Sequence, residues 1–212
     1  MMKTRQEIKA IAKANMKQNW GQCIAVTVLF LVIGLVLSYV TMGIGAMLLM
    51  PVITVALAGF HVAVYRGEAA TVSDWFADMF TNFGRKLGGY YWMQLFIFLW
   101  MLLFYIPGIV KAFAYSMTPY ILADCPNVKA KDALKLSMRM TQGYKADILV
   151  AELSFIGWLI LGGLTFHILT ALYVMPYMQT TMAGIYEELK DNALENGTIS
   201  PEELAGGTLR QF

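Results

Sequence analysis

The sequence predicts an all-α protein of the membrane, a polytopic transmembrane helical bundle with six spans arranged as three hairpins. Three observations predict this fold class: an excess of apolar residues, six apolar segments of spanning length, and basic residues confined to alternate connections. Of the 212 residues, 58% are hydrophobic and 14% are charged, whereas a soluble domain has roughly 45 to 50% apolar and about 25% charged residues. This excess is too large for one buried core, so we expect lipid to cover much of it.

Six apolar segments, bounded by charges or by Gly and Pro turns, are the predicted spans. They are residues 23–40, 44–65, 89–105, 108–122, 148–164 and 168–186. The third and fourth lack a polar connection, but one helix over 89–122 would be about 51 Å long, against about 30 Å of hydrocarbon. Pro107 therefore supplies a break. The first segment is long enough to span by itself, so we interpret it as an uncleaved first helix.

The basic residues predict the topology. Every Lys and Arg except Lys111 lies before the first span, after the last span, or in the connections that follow the second and fourth spans. Because basic connections stay in the cytoplasm, both termini, Met1 and Phe212, are expected there. The turns near Met42, Pro107 and Phe166 are expected outside, so a cysteine at position 166 should react from the outside and one at position 128 should not.

The cytoplasmic segments 5–19, 72–83 and 129–140 are predicted to be amphipathic helices lying along the inner leaflet. The first and third share a spacing of basic residues, and in the second, which Ser73 can cap, four apolar residues follow helical spacing, namely Val72, Phe76, Phe80 and Phe83. A proline is also expected at the start of the second helix of each hairpin, at Pro51, Pro107 and Pro176. We interpret this pattern as a threefold internal pseudo-repeat, with units of about 3–66, 72–124 and 128–190, although chance coincidence of common features is an alternative. The prediction is one membrane domain over residues 1–190 and a short cytoplasmic tail over 191–212.

Five stretches of the chain together carry a resemblance to a known family. They are Glu7-Ile8-Lys9 through Asn19-Trp20, Leu103-Phe104-Tyr105-Ile106-Pro107-Gly108-Ile109-Val110-Lys111, Tyr115-Ser116-Met117 through Ile121-Leu122-Ala123-Asp124, Ala133-Leu134-Lys135-Leu136-Ser137 and Ser154-Phe155-Ile156-Gly157-Trp158. In combination, over nearly the whole chain, they resemble the bacterial membrane proteins grouped as domain of unknown function 975. The resemblance implies a protein of the bacterial cell membrane, and it implies no activity or functional residue.

Two charged residues inside the apolar segments, Lys111 and Glu152, are the candidate intramembrane polar residues. Lys111 follows Pro107 closely and is expected near the outer surface, whereas Glu152 is expected near the inner surface, so no ion pair is predicted between them. Each either extends to the nearer interface or faces a water-filled interior. His61 and His167 are expected near opposite surfaces as solvated residues, which gives no metal site.

The sequence lacks the motifs of several enzyme classes. It has no GxSxG, no HExxH, no GxxxxGK[ST] and no pair of intramembrane carboxylates at helical spacing. Cys23 and Cys125 form no CxxC pair, so neither a disulfide framework nor a zinc site is predicted. We therefore expect no catalytic residue, no cofactor and no metal.

The function expected from these features is that of a non-enzymatic scaffold, accessory subunit or lipid-organising protein of the bacterial cell membrane. Its expected partners are anionic lipids of the inner leaflet and a membrane-protein partner or a second copy, with no nucleic acid. The candidate lipid contacts are Lys9, Lys13, Lys17, Arg85, Lys86, Lys131, Lys135 and Arg139.

The alternative function is a small permease or exporter subunit for a small solute or peptide. A transporter should line a central cavity with polar groups from several helices, whereas a scaffold should fill its centre with Leu, Phe and Gly. In a transporter, Glu152 is expected to face a hydrated cavity beside Ser154, Thr180 or Thr181.

Overall fold

The computed structural model describes residues 3–165, 167–207 and 209, and within these residues every regular element is a helix. The helices are α1 (Arg5–Gln18), α2 (Trp20–Val40), α3 (Ile44–Arg66), α4 (Val72–Phe80), α5 (Phe83–Leu103), α6 (Tyr105–Tyr115), α7 (Thr118–Asp124), α8 (Ala130–Met140), α9 (Lys145–Leu153), α10 (Ile156–Leu164), α11 (Met175–Glu195) and α12 (Pro201–Leu204). A π-helical turn (Thr170–Val174) leads directly into α11. The predicted positions at Met1, Phe166, Arg210 and Phe212 lie outside the described residues.

Three of these helical segments are long and apolar enough to cross a membrane. They are Trp20–Val40, Ile44–Arg66 and Lys145–Leu164, the last of which joins α9 and α10. The all-helical fold is therefore confirmed, with three candidate spans, while the six spans and the threefold repeat stay predictions.

The other three predicted spans correspond to α5, to α6 with α7, and to the π-helical turn with α11. The fourth predicted span is divided at Ser116 and Met117. Pro119, in the first turn of α7, has no backbone N–H with which to continue the hydrogen bonds of α6.

The prolines occupy different positions in the three predicted hairpins. Pro107 lies in the first turn of α6, as expected. Pro51 lies inside α3, several residues after its start, so the prediction that it begins the second helix is wrong. Pro176 is the second residue of α11, but the π-helical turn runs directly into that helix, so the chain is already helical before this proline as well. A proline in a helix interior removes one backbone hydrogen bond, which distinguishes Pro51 and Pro176 from Pro107.

The three predicted amphipathic segments are helical, as α1, α4 and α8. Thr4 caps α1 through a capping box with Glu7. Thr71 caps α4 in the same way with Asp74, so the cap predicted at Ser73 is wrong by two residues. The capping side chains accept hydrogen bonds from backbone N–H groups that the helix leaves unpaired.

The apolar faces of α1 and α8 pack on protein. In α1, Ile8, Ala12 and Met16 recur every four residues and are buried, and the helix contacts α3 and α11. Helix α8 packs on α5, α6 and α7. The apolar side chains of these two helices are therefore used in the fold, and their position at the inner leaflet stays a prediction.

The main hydrophobic core joins α1 and α8 to the second half of α3, to α7 and to α11. Val55, Ile121, Leu136 and Tyr186 are each fully buried there. A second cluster joins α2, the middle of α3 and α4, with Trp75 and Met79 from α4. Large apolar side chains are exposed mainly in residues 28–49, 92–110 and 149–172. Apolar residues are thus covered by protein at one end of the bundle and uncovered along the rest.

Candidate functional site

A cavity of about 200 Å³ lies where α3, the junction of α6 and α7, α9 and α11 meet. Five of its lining residues are polar, and they come from all of these helices: Thr54, Ser116, Tyr120, Glu152 and Gln179. The remaining lining residues are Ala58, Pro119, Met178 and Met182. The space is half-open and not an enclosed chamber, and we refer to it, by its place between these helices, as the central cavity.

Two hydroxyl groups of the central cavity have their protons engaged by the backbone. Thr54 Oγ1 donates to the carbonyl oxygen of Met50 at 2.8 Å, and Ser116 Oγ donates to that of Phe113 at 2.9 Å. Because a hydroxyl has one proton and two lone pairs, both oxygens can still accept hydrogen bonds. They therefore present acceptors, beside the hydroxyl of Tyr120 and the amide of Gln179, which can both donate and accept.

Of the residues that the structure describes, Glu152 is the only charged one that lines the central cavity. It is half-buried, and among the described residues no cation forms an ion pair with it. A carboxylate held in an apolar environment without a counter-charge is unfavourable. The cavity thus carries one negative charge that the protein does not balance.

The residues expected beside Glu152 do not line the cavity. Thr180 Oγ1 donates to the carbonyl oxygen of Pro176 at 2.8 Å, and Thr181 Oγ1 donates to that of Tyr177 at 2.8 Å. Ser154 accepts a hydrogen bond from Lys9 instead. The arrangement expected of a transporter is therefore not found with these residues, because the register of α11 points Gln179, and not the two threonines, at the cavity.

Sequence reasoning missed Thr54, Ser116 and Gln179. Thr54 and Gln179 each interrupt an otherwise apolar stretch of a predicted span, and that interruption is the signal that could have identified them. Nothing in the sequence brings them together, because they lie on helices far apart in the chain.

Lys111 lies against aromatic and sulfur atoms. Its Nζ is 3.7 Å from Met138 Sδ and 5.1 Å from the ring centre of Trp100. A lysine ammonium is attracted to the face of an aromatic ring. No ion pair joins Lys111 to Glu152, both of which the structure describes. Met138 belongs to α8, which is predicted to lie at the inner leaflet. This contact means that Lys111 near the outer surface and α8 at the inner leaflet cannot both hold, and each position stays a prediction.

His61 is 0% exposed, so the expectation of a solvated histidine is wrong. Its Nδ1 lies 2.9 Å from Thr180 Oγ1. Since the proton of Thr180 goes to Pro176, the N–H at Nδ1 of His61 donates to Thr180, and Nε2 is left as an acceptor without a described partner. His167 is exposed, and no group of three or more His, Cys, Asp or Glu side chains in the described part of the chain could hold a metal ion.

The eight candidate lipid contacts divide into two sets of four. The first set is exposed on α1 and α8 and consists of Lys13, Lys17, Lys131 and Lys135. Lys131 lies 5.2 Å from the ring centre of Trp92, and Lys135 is 3.9 Å from Asp132 one turn before it. Exposed pairs of this kind hold an ammonium group only weakly. We call these four residues the exposed lysines.

The second set is Lys9, Arg85, Lys86 and Arg139, and each is engaged by the protein. Lys9 Nζ donates to Ser154 Oγ at 2.5 Å and lies 4.3 Å from the ring centre of Phe155. Burial, and then the charge of Arg5, lowers the pKa of Lys9. Its charge therefore faces α9 and the residues that follow it.

Arg85 and Lys86 connect α5 to neighbouring elements. Arg85 donates to carbonyl oxygens at and beyond the end of α7, those of Leu122, Cys125 and Val128. Lys86 is 2% exposed and forms an ion pair of 2.7 Å with Asp78 of α4. Carbonyl groups at a helix end lack partners within the helix, so Arg85 supplies donors there.

Arg139 connects α8 to the C-terminal segment. Its Nη1 lies 2.9 Å from Glu203 Oε1, and Nη2 donates to the carbonyl oxygen of Thr198. Glu203 is 1% exposed and lies in α12. The segment after α11 therefore packs against α8 through a buried ion pair.

An ionic cluster joins the ends of α3 and α7 to the second half of α11. Asp124 lies 2.6 Å from Arg66 Nη2 and 3.0 Å from Lys190 Nζ, and it accepts a hydrogen bond of 2.9 Å from the hydroxyl of Tyr186. Arg66 and Lys190 also both pair with Glu187. Burial by itself would raise the pKa of Asp124, but Lys190 and Arg66 overcome this effect and lower it. We call this group the ionic cluster.

Comparison with known proteins supports the resemblance over part of the chain. The family model described as Protein of unknown function (DUF975) matches residues 104–193, which include α6 to α10 and most of α11. No curated protein and no solved structure matches the chain. This match confirms the resemblance over these residues, and the description of the family names no activity.

Proposed function

We propose, starting from this match to a family of unknown function, that the chain is a six-span protein of the bacterial cell membrane that works without catalysis. In this proposal it is a scaffold that organises anionic lipid at the cytoplasmic surface. Both termini face the cytoplasm, and the three predicted hairpins cross the membrane from that side.

The distribution of uncovered apolar residues supports the membrane part of the proposal. Tyr39 is 87% exposed and Met42 is 93% exposed at the turn between α2 and α3. Phe98 and Ile106 are similarly uncovered around the turn from α5 to α6, as is Leu164 at the end of α10. Large apolar side chains left uncovered in such number are typical of contact with lipid or another protein.

The observation that carries the lipid function is the set of exposed lysines. Helices α1 and α8 each bury an apolar face in the protein and present two lysines on the opposite side. A lysine near the surface of an anionic leaflet contributes about 1 kcal/mol to membrane association. Because these helices adjoin the candidate spans, lipid headgroups are the nearest polyanion.

The test compares two kinds of cation on one helix. In Lys131→Gln with Lys135→Gln, we expect the affinity for phosphatidylglycerol over phosphatidylcholine to fall about fivefold per lysine, because each charge contributes about 1 kcal/mol. Native mass spectrometry of the purified protein with mixed lipids measures this preference.

The matched control is Arg139→Gln, which removes the same charge from α8. Because Arg139 is engaged by Glu203, we expect this change to lower the melting temperature and to leave the lipid preference unchanged. The proposed lipid surface is contradicted if the lysine variant keeps its preference for phosphatidylglycerol, or if the Arg139 variant loses as much of that preference as the lysine variant does.

A second candidate function, a small permease or exporter subunit, is favoured by the central cavity. Polar residues from several helices line this cavity, which is the arrangement that a transporter requires. It is tested by solute uptake into vesicles that contain the purified protein, in which Glu152→Gln should abolish uptake while the protein still inserts. Uptake that persists in this variant contradicts the permease function.

A further inference from the structure

We propose that the central cavity binds a small primary ammonium ion, with Glu152 as its counter-charge. This site is distinct from the lipid surface, because none of the exposed lysines lines the cavity. Its success or failure therefore leaves the lipid measurement unaffected.

The charge of the cavity selects a cation. Among the described residues, Glu152 is its only charged lining residue, and none forms an ion pair with its carboxylate. An anion would be repelled, and a neutral ligand could offer the carboxylate a hydrogen bond but would leave its charge unbalanced. A bound cation balances the charge of Glu152 and so removes the free-energy cost of an unpaired carboxylate inside the protein. Binding of a cation is therefore a physical reason for this carboxylate in a candidate span.

The size of the cavity favours an organic ion over a bare metal ion. One water molecule takes up about 30 Å³ in the liquid, so a space of about 200 Å³ has room for an organic ion of several heavy atoms. A Ca²⁺ or Mg²⁺ site would instead need roughly six oxygen ligands at about 2.0 to 2.6 Å.

The lining matches a ligand with one polar end and one apolar end. Thr54 and Ser116 keep lone pairs available after donating to the backbone, and the side-chain carbonyl of Gln179 is a further acceptor. A primary ammonium group has three N–H donors and no acceptor, so it can satisfy Glu152 and these neutral oxygens together. Ala58, Pro119, Met178 and Met182 then offer apolar contact for a short alkyl chain.

The experiment uses the full chain in neutral detergent and measures binding by calorimetry. The probes are butylammonium chloride, tetramethylammonium chloride and sodium chloride at equal ionic strength. We expect saturable binding of butylammonium, weaker binding of tetramethylammonium because it cannot donate hydrogen bonds, and no competition by sodium.

Variants assign the binding to the cavity. In Glu152→Gln, the affinity for butylammonium should fall by at least about tenfold, since hydrogen bonds to charged groups are the strong ones. The matched control is Asp147→Asn, which removes an exposed carboxylate from the first turn of the same helix and should change nothing. If Glu152→Gln does not fold, Gln179→Leu supplies the test, because it keeps the charge and removes an acceptor and should also weaken binding.

Three outcomes overturn the proposal. They are absence of butylammonium binding, binding that neither cavity variant changes, and binding of sodium or tetramethylammonium as tight as that of butylammonium.

Discussion

The two ends of the bundle have similar apolar residues and opposite surroundings. At the end formed by the second half of α3, by α7 and by α11, Val55, Ile121 and Tyr186 are fully buried. At the other end, around the turns that follow α2 and α5, Met42 and Ile106 are 93% and 75% exposed. We call these the packed end and the open end. Hydropathy alone therefore does not distinguish an apolar residue that packs against protein from one that is exposed on the surface of the bundle.

Polar groups do distinguish the two ends. The packed end contains the ionic cluster, the pair of Lys86 with Asp78 and the pair of Arg139 with Glu203. The same contrast holds between candidate spans, because 61% of the most apolar part of α3 is buried against 17% in α2. Helix α3 is therefore central to the fold, whereas α2 borders it.

Labelling with a membrane-impermeant thiol reagent would show the largest difference between the ends. We expect Met42→Cys to react fully from the outside of intact cells and Lys129→Cys not to react, because the proposed topology places the open end outside and α8 in the cytoplasm. Position 128 is less suitable than position 129, since Val128 is 1% exposed and would resist the reagent on either side.

The native cysteines provide a low background for this measurement. Cys23 is 0% exposed and Cys125 is 7% exposed, so neither should react in the folded protein. Labelling of Lys129→Cys in intact cells, or protection of Met42→Cys in both intact and opened cells, would reverse the assignment of the two ends.

Asp124→Asn should produce the next largest effect, a loss of stability at the packed end. Arg66 and Lys190 would lose the carboxylate that joins them, and removing one partner of a buried ion pair costs about 3 kcal/mol or more. The measurement is thermal unfolding in detergent. Asp132→Asn is the control, because its pair with Lys135 is 3.9 Å long and exposed and is expected to contribute below about 1 kcal/mol.

The ionic cluster should also make stability depend on pH. Because the pKa of Asp124 is lowered from its ordinary value of 3.8, its contribution is present above that value and is lost as the pH falls through the lowered pKa of the folded state. Asp124→Asn should therefore reduce the fall in melting temperature on acidification. An equal fall in both proteins would show that other carboxylates control the acid response.

Replacing single glycines with alanine should change the free energy of unfolding least, and the change should still differ between the packed end and the rest of the bundle. A Cβ atom at Gly184 of α11 would lie 2.7 Å from Tyr65 Cζ and 2.8 Å from Ile8 Cγ2, which requires neighbouring side chains to move. Gly184→Ala should cost about 1 to 3 kcal/mol, the usual cost of overpacking, measured by the same unfolding experiment.

Gly157→Ala in α10 is the matched substitution away from the packed end. Nothing lies within 4 Å of a Cβ atom there, so we expect a gain of up to about 1 kcal/mol from better helix propensity. Equal effects at both glycines would mean that the packed end is not close-packed as the structure has it.

Part of the fold could be predicted because it depends on local sequence. The bounds of α2, α3, α1 and α8 follow from apolar length and from helical spacing, and they agree with the prediction to within a few residues. The division of the fourth predicted span was missed, since Pro119 was not considered as a break. Pro51 was misplaced because a proline pattern does not say whether the helix has already begun.

The candidate site could be predicted only in part. Glu152 was identified because a lone carboxylate in an apolar segment is visible in the sequence. Its neighbours Thr54, Ser116 and Gln179 were not, because their proximity depends on how α3, α6, α7 and α11 pack. His61 was expected in solvent, yet the packing of α11 against α3 buries it.

An α-helical protein, with apolar segments of spanning length and with nearly all basic residues in a few stretches between them, could be inferred from the sequence. Those properties depend on composition and on the order of charges along the chain, which folding does not change. Which cations remain available, and which carboxylate lacks an ion-pair partner, is visible only in the folded structure. The physical reason is that pairing depends on distances between side chains on different helices, and Lys135 and Arg139, one turn apart on α8, differ because only Arg139 faces Glu203.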